Sequence, residues 1–338
     1  IKMKQKIKIN SPALRKISAI SKIIKQSKTF FIAGHIKTDG DSLGSALTLG
    51  SVLTRLGKKV SVYYDDEIPG FLKFLKGSDK IKKSVKKTDM FDCAIILESF
   101  NFARMGNIIS PEQAKKIINI DHHLSHTNFG IVNYIVPSSA STAELILNIL
   151  EYMKIKLTKS EAENLYTGIL TDTGCFRQAN TTPNAHIACA KLMCYGINVN
   201  EIYKKVYERG SINSLKLHGM ALCNIKTIIN DKVSYIALTK DMFKKSGAKD
   251  DDSDGIINYA LRIKGVKIGC LFKEIDGNTT KVSCRSVKNF NVLKVVRIFG
   301  GGGHKNAAGG IINSGIAGSI KIVSGILKKY FDNKDTVV

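Results

Sequence analysis

The sequence has no run of the roughly 18 apolar residues that a membrane-spanning helix requires, and no apolar stretch follows the charges of its opening Ile1-Lys-Met-Lys-Gln-Lys-Ile-Lys. A leaderless, cytoplasmic chain is therefore expected. It contains no Cys-x-x-Cys pair, and its seven cysteines (93, 175, 189, 194, 223, 270 and 284) are odd in number. Neither a disulfide framework nor a zinc ribbon is indicated, which leaves reduced thiols in small hydrophobic positions. Internal repeats and long low-complexity segments are also lacking. Arginine is scarce, with eight residues against 44 lysines.

What is present fits a globular protein. Of 338 residues, 43% are hydrophobic, and mean hydropathy is −0.03, which excludes a mainly disordered chain. At roughly 100 to 200 residues per domain, the length suggests two domains. The formal net charge is +24. Lysine spread over solvated faces accounts for such an excess as readily as long-range attraction of an anionic substrate does, so charge alone does not choose a function.

Apolar runs of strand length fall at 29–33, 60–64, 94–97 and 117–120. Between them lie helix-length segments with apolar residues at period three to four, such as Leu43, Ala46, Leu47, Val52, Leu53 and Leu56, closed by Gly57. Near-continuous apolar strands alternating with helices predict a doubly wound, mainly parallel α/β sheet. The capping-box pattern Thr158-Lys-Ser-Glu161 opens a helix running to about residue 171. Strand-like pieces at 233–238, 266–272 and 281–285, an acidic stretch at 250–252 and glycines 300–303 predict a second, smaller α/β domain. The expected division is a catalytic domain over 1–197, a helical linker over 198–211 and a substrate domain over 212–338.

The polar residues that follow these runs carry the chemistry. Phe30-Phe31-Ile32-Ala33-Gly34 delivers His35, the run Cys93–Leu97 delivers Glu98, and the run 117–120 delivers Asp121-His122-His123. Ligands of open α/β sheets bind outside the carboxyl ends of the strands, so three strands bring metal-type ligands to one edge. In His35-Ile-Lys-Thr-Asp39-Gly40-Asp41-Ser42, carboxylates at i and i+2 of an extended loop point to opposite sides, and Gly40 permits unusual φ. That arrangement offers Asp39 to one cation and Asp41 to a second; an Asx turn capping the next helix is the structural alternative. A calcium loop is excluded, because Val52 stands where its twelfth-position Glu belongs. The run Asp121-His122-His123-Leu-Ser-His126 gives one or two imidazoles, with the adjacent Asp121 available to fix a tautomer. Asp172 is expected at a helix C-terminus, where the dipole disfavours an unpaired anion and a cation removes the conflict.

The order and wording of these motifs resemble the DHH phosphoesterase superfamily. Gly300-Gly-Gly-Gly303-His304-Lys305-Asn306-Ala-Ala-Gly309 resembles the glycine-rich signature of its DHH-associated C-terminal domain. Length and both ends together are similar to the short members, the nanoRNase (oligoribonuclease A) and pAp phosphatase group. The resemblance implies a two-metal phosphoesterase, usually using Mn²⁺, in which His35, Asp39 and Glu98 hold one ion. Asp41, Glu98, His122 and Asp172 hold the other, Asp121 supports the ligands, and His123 lies near the scissile phosphate or leaving group. Two cations about 3.5–4 Å apart activate water and clamp the attacked phosphate; no covalent nucleophile is evident.

In the second domain the N–H groups of Gly301, Gly302 and Gly303 suit a phosphate-binding nest. His304, Arg285 and Arg262 resemble the family's terminal-phosphate clamp, for which the planar arginine fork is suited. The substrate is expected in a cleft between the domains. Short oligoribonucleotides or linear dinucleotides, giving mononucleotides, and 3′-phosphoadenosine 5′-phosphate, giving AMP, are the implied substrates, and a homodimer is implied by resemblance alone. One departure is notable: Glu98 stands where the family normally has Asp. An added methylene at a bridging ligand can displace both ions by about 1 Å, an error worth on the order of 10²-fold in rate, whereas Glu bridges equally well where the backbone withdraws slightly. Two alternatives stand beside this reading: cyclic-dinucleotide hydrolysis, implied by the resemblance to related family members, and a catalytically weakened nucleotide- or RNA-binding protein, motivated by Glu98 and the +24 charge.

Overall fold

The computed structural model describes residues 11–99, 101–106, 108–123, 127–287 and 289–335. The chain divides into two compact units between Arg209 and Gly210. In the first, the helix α1 (Ser11–Gln26) precedes β1 (Thr29–Ala33), α2 (Gly40–Arg55) and β2 (Lys59–Tyr63). Then follow β3 (Cys93–Leu97), β4 (Ile117–Asp121), β5 (Val132–Ile135) and the helices α3 (Thr142–Tyr152), α4 (Lys159–Asp172), α5 (Pro183–Met193) and α6 (Val199–Tyr207).

The five strands form one parallel sheet in the order β2-β1-β3-β4-β5. Its register places Ala33 opposite Ile96 and Leu97 opposite Ile120, so the carboxyl ends of β1, β3 and β4 finish level. Side chains alternate between two apolar layers, as a strand buried on both faces requires. Phe30, Ile32, Ile95 and Leu97 pack with α1 to α4, whereas Phe31, Ala33 and Ile96 pack with Met105, Ile108 and Ile109. β5 was not evident in the sequence, because its four residues Val-Asn-Tyr-Ile alternate rather than form an apolar run.

α4 starts with the expected capping box: Thr158 accepts from Glu161 N–H and Glu161 accepts from Thr158 N–H. α2 and α4 cross closely where glycine removes the obstruction. A Cβ at Gly44 would lie 2.3 Å from the Asn164 carbonyl oxygen, and one at Gly168 would lie 2.9 Å from Asp41 Oδ1. The helix expected as a connector, α6, buries Ile202 and Val206 in the first unit's core.

The second unit holds α7 (Ile212–Cys223), β6 (Lys226–Ile228), β7 (Val233–Leu238), α8 (Lys240–Ser246), α9 (Ile256–Ala260) and β8 (Ile268–Asp276). It continues with β9 (Thr279–Ser286), α10 (Val292–Arg297), β10 (Gly302–His304), β11 (Ala307–Ile312) and α11 (Ile316–Asp335). The strands form a mixed sheet in the order β10-β11-β9-β8-β7-β6, in which only β7 and β8 pair in parallel. One apolar cluster joins the sheet to α7, α8 and α9, and another joins it to α10 and α11.

Candidate metal centre

Metal-type side chains converge at the level carboxyl edge of the parallel sheet. His35 follows β1, and its Nδ1 lies 2.6 Å from the Ile36 carbonyl oxygen. With Nδ1–H donating there, the Nε2 lone pair faces Asp39 Oδ2 at 3.3 Å and Glu98 Oε2 at 3.7 Å. Asp39 has two tasks. Its Oδ1 accepts from Ser42 N–H at 2.9 Å as the N-cap of α2, while Oδ2 faces His35. Helix capping and the approach to His35 thus belong to the same carboxylate.

Asp41 sits in the first turn of α2 and is buried. It accepts the main-chain N–H of Thr142 at 2.6 Å and that of Ala143 at 2.7 Å, at the positive end of α3. Asp39 and Asp41 do belong to different ligand groups, but a cap followed by a helical turn separates them, not strand-like alternation. Gly40 keeps a negative φ, contrary to the sequence expectation. Its lack of a side chain is needed for packing, since a Cβ would lie 2.4 Å from Thr171 Oγ1.

Glu98 joins the two groups. It turns into the left-handed region at the end of β3, with φ 52. Its Oε1 lies 3.4 Å from His122 Nε2 and its Oε2 lies 3.7 Å from His35 Nε2. His122 directs Nδ1 at the Ser139 carbonyl oxygen, 3.4 Å away, and Nε2 at Asp172 Oδ2, 3.6 Å, and Asp41 Oδ2, 3.9 Å. Asp172 ends α4, and its Oδ2 accepts from Asn180 Nδ2 at 2.8 Å. The ring held by Asp121 is His123, whose Nδ1 lies 2.8 Å from Asp121 Oδ1. His126 lies outside the described residues.

Charge is crowded here. Burial, then the negative charges of Asp39 and Asp41, push the Glu98 carboxyl well above its usual range. Burial and the charges of Asp41 and Asp39 raise Asp172 to about 8. Burial raises Asp41 as well, although His122 opposes it. Burial also works against ionisation of Asp39, but His35 and the Ser42 N–H outweigh it and hold that carboxyl below its ordinary value. Both Glu98 oxygens and His122 Nε2 are buried without a hydrogen-bond partner. Unpartnered buried acceptors are costly, and divalent cations would relieve both the desolvation and the repulsion. Two groups, His35 with Asp39 and Glu98, and Asp41 with Glu98, His122 and Asp172, each bring their ligand atoms within 4.8 Å of one another. Glu98, His122 and His123 form a third. The oxygen-rich, imidazole-containing donor set fits divalent metal ions.

Comparison with known proteins agrees with this chemistry. The DHH family, N-terminal domain, matches residues 29–169, and the DHHA1 domain matches residues 229–331. The bifunctional oligoribonuclease and PAP phosphatase NrnA of Thermus thermophilus is 30% identical over 306 residues, which cover 89% of this chain and 90% of that protein. This chain belongs to the DHH family of phosphoesterases. The Bacillus subtilis protein of the same name is 26% identical over 85% of this chain and 90% of its own length. The crystal structure of an exopolyphosphatase-related protein from Bacteroides fragilis matches with a TM-score of 0.84 at 30% identity, covering 94% of this chain and 96% of that one.

In the DHHA1 unit, the glycine cluster is mostly an edge strand. Gly302, Gly303 and His304 pair with Gly309, Ala308 and Ala307. Gly303 has φ 133, and a Cβ at Gly301 would lie 2.5 Å from the Gly309 carbonyl oxygen, so close strand packing itself demands these glycines. Ala307 pairs with His304 on one side and Arg285 on the other, which aligns the two positions across three strands; the side chain of His304 is outside the described set. Arg262 is not in this row. It follows α9, exposed, with its guanidinium 4.6 Å from the Tyr259 ring centroid.

Five contributors to the DHH centre were missed in the sequence: the Ile36 and Ser139 carbonyls, the Thr142 and Ala143 N–H groups, and Asn180. Ser141-Thr-Ala-Glu144 before an apolar run is a helix-start signal, and it would have located the N–H pair. Nothing in the spacing marks Asn180. Among the described residues, no helix is long and apolar enough to cross a membrane.

Proposed function

We propose that this chain is a two-metal phosphoesterase that hydrolyses short oligoribonucleotides and linear dinucleotides to mononucleotides. In the same reading it converts 3′-phosphoadenosine 5′-phosphate to AMP and uses Mn²⁺. The observation that carries the reading is Glu98, a single buried carboxylate whose two oxygens face two separate imidazole and carboxylate groups. His35, Asp39 and Glu98 would hold one cation, and Asp41, Glu98, His122 and Asp172 the other. When bound, such a pair supplies Lewis-acid activation of water and neutralises charge at phosphorus.

The chain's own groups hold and move protons around that pair. The Ile36 and Ser139 carbonyls fix the His35 and His122 rings with Nε2 directed inward. Asp121 orients His123, whose ring is 42% exposed and whose pKa that carboxylate raises, so that a protonated imidazole is available to a phosphate or leaving-group oxygen. In the DHHA1 unit, Arg285 and the strand Gly302–His304 would bind a terminal phosphate. The names borne by the Thermus and Bacillus relatives support the substrate class, and the +24 charge favours anionic substrates generally.

The test is incubation of the purified chain with Mn²⁺ and 5′-labelled di- to pentaribonucleotides or 3′-phosphoadenosine 5′-phosphate. Mononucleotide and AMP are expected, and chelation should abolish both. Binding without any product would sink the enzymatic reading.

A further inference from the structure

The middle residue of β4 is the polar Asn119, set between Ile118 and Ile120 and fully buried. Its Oδ1 has no hydrogen-bond partner, a cost that an aliphatic side chain in its place would avoid. The other end of the amide is used. Nδ2 donates to the Ser99 carbonyl at 3.2 Å, 20 residues back in the chain and equally buried. Because the near group is a carbonyl, which only accepts, Nδ2 is the end of the amide that must face it.

That carbonyl directly follows Glu98. Glu98 has φ 52, a region that side chains other than asparagine and aspartate seldom enter. Both flanks of the residue are tied to β4. On one side the Glu98 N–H donates to the Ile120 carbonyl at 3.0 Å, at the end of the β3–β4 pairing; on the other, Asn119 holds the Ser99 carbonyl. Two anchors on one strand, on either side of a single α-carbon, hold its backbone dihedrals. With the backbone so placed, one Glu98 oxygen meets His122 Nε2 at 3.4 Å and the other meets His35 Nε2 at 3.7 Å. An extended backbone would redirect the Cα–Cβ bond, and with it the rings that the carboxylate meets.

We infer that Asn119 is a positioning residue: by holding the Ser99 carbonyl, its amide keeps Glu98 left-handed and so keeps one carboxylate between the two ligand groups. Asn119 belongs to none of the metal-type groups and acts through Glu98. The use assigned to that geometry, sharing of Glu98 by two ions, rests on the proposed function; the backbone clamp itself does not.

Urea unfolding of the full chain in EDTA tests the clamp. Glycine usually gives the less stable member of a glycine/alanine pair, because it loses more freedom on folding; at a left-handed position the order reverses. Glu98→Gly should therefore unfold at a higher urea concentration than Glu98→Ala. Combined with Asn119→Ala, the two should lose that difference, since residue 98 is then free to relax. Asn119→Ser, whose hydroxyl is too short to reach Ser99, serves equally where the alanine variant does not fold. In the parent protein, the Asn119 side-chain amide protons should exchange slowly with solvent by NMR. Fast exchange overturns the clamp, as does a Glu98→Gly variant no more stable than Glu98→Ala, or a glycine advantage that survives loss of the Asn119 amide. Loaded with Mn²⁺, the parent should give the electron paramagnetic resonance spectrum of an exchange-coupled pair, and Asn119→Ala that of isolated ions bound about 10–100-fold more weakly. A coupled spectrum unchanged by the substitution overturns the positioning role. A parent that never couples refutes the two-ion reading instead, and the urea result then judges the clamp separately.

Discussion

Asp121 accepts two hydrogen bonds from His123, one from the main-chain N–H at 3.0 Å and one from ring Nδ1 at 2.8 Å. The backbone bond fixes the carboxylate against the chain, and the ring bond fixes the imidazole against the carboxylate. This carboxylate raises the pKa of His123. Asp121→Asn removes that charge, so the His123 pKa should fall toward the ordinary value of about 6.5. NMR titration of the metal-free protein measures it directly. Turnover should fall by about 10–100-fold, the usual cost of losing a partner behind the reacting groups. An unchanged His123 titration refutes the arrangement.

Cation binding should stabilise the first unit, because the unpartnered acceptors of Glu98 and His122 are buried in the folded state. With Mn²⁺ at 100 times its Kd, linkage gives about 2.7 kcal/mol, visible as a raised melting temperature that EDTA reverses. Asp41→Ala should abolish turnover and most of that increment while leaving the far-ultraviolet circular dichroism intact. The same substitution removes a negative charge facing Asp172, whose carboxyl should then titrate below about 8 in the metal-free protein. Hydrolysis by this variant at the parent rate contradicts the assigned ligands.

Arg55 and Glu161 fasten α2 to α4 at the ends opposite Asp41 and Asp172. The Glu161 carboxylate is buried; although burial opposes its ionisation, bonds from Arg55, Ser51 and the Thr158 N–H hold its carboxyl below the ordinary range. A carboxyl depressed by folding contributes stability above its unfolded pKa of about 4.3 and loses that contribution as pH falls through the folded value. Glu161→Gln should therefore cost about 1.5–3 kcal/mol at neutral pH, the range for hydrogen bonds to charged groups. In urea unfolding, the gap between variant and parent should narrow steadily below about pH 4. A gap that stays constant with pH rules out the charged pairing.

Gly44→Ala sets two effects against each other. Helix propensity alone favours alanine by about 0.5–1 kcal/mol, but the new Cβ would lie 2.3 Å from the Asn164 carbonyl, and overpacking costs about 1–3 kcal/mol. The second effect wins: melting temperature should drop, and turnover should drop with it as α2 and α4 separate. A more stable variant would show that the helices do not cross this closely.

Much of the centre was legible because burial leaves a local imprint. A strand covered on both faces must be apolar throughout, so the runs ending at Ala33, Leu97 and Ile120 stand out, and the polar residue after each has only the sheet edge to occupy. Parallel pairing with level ends then gathers His35, Glu98 and His122. The strand Val132–Ile135 left no such imprint, being short and alternating. Gly40 was read as a position of backbone freedom and proved to be required by the approach of Thr171; Gly301 leaves no room for a Cβ beside Gly309, and Gly303 holds a positive φ.

The sequence by itself determined which side chains reach the edge, because hydrophobic periodicity is a property of neighbouring residues. Only the tertiary structure decided how they pair: that Asp41 rests on Thr142 and Ala143, 101 and 102 residues away, that Asp121 serves His123, and that Glu98 turns left-handed to face two imidazoles. Those partnerships depend on how helices and strands pack in three dimensions, and contacts between residues so far apart in the chain leave no period in the sequence to read.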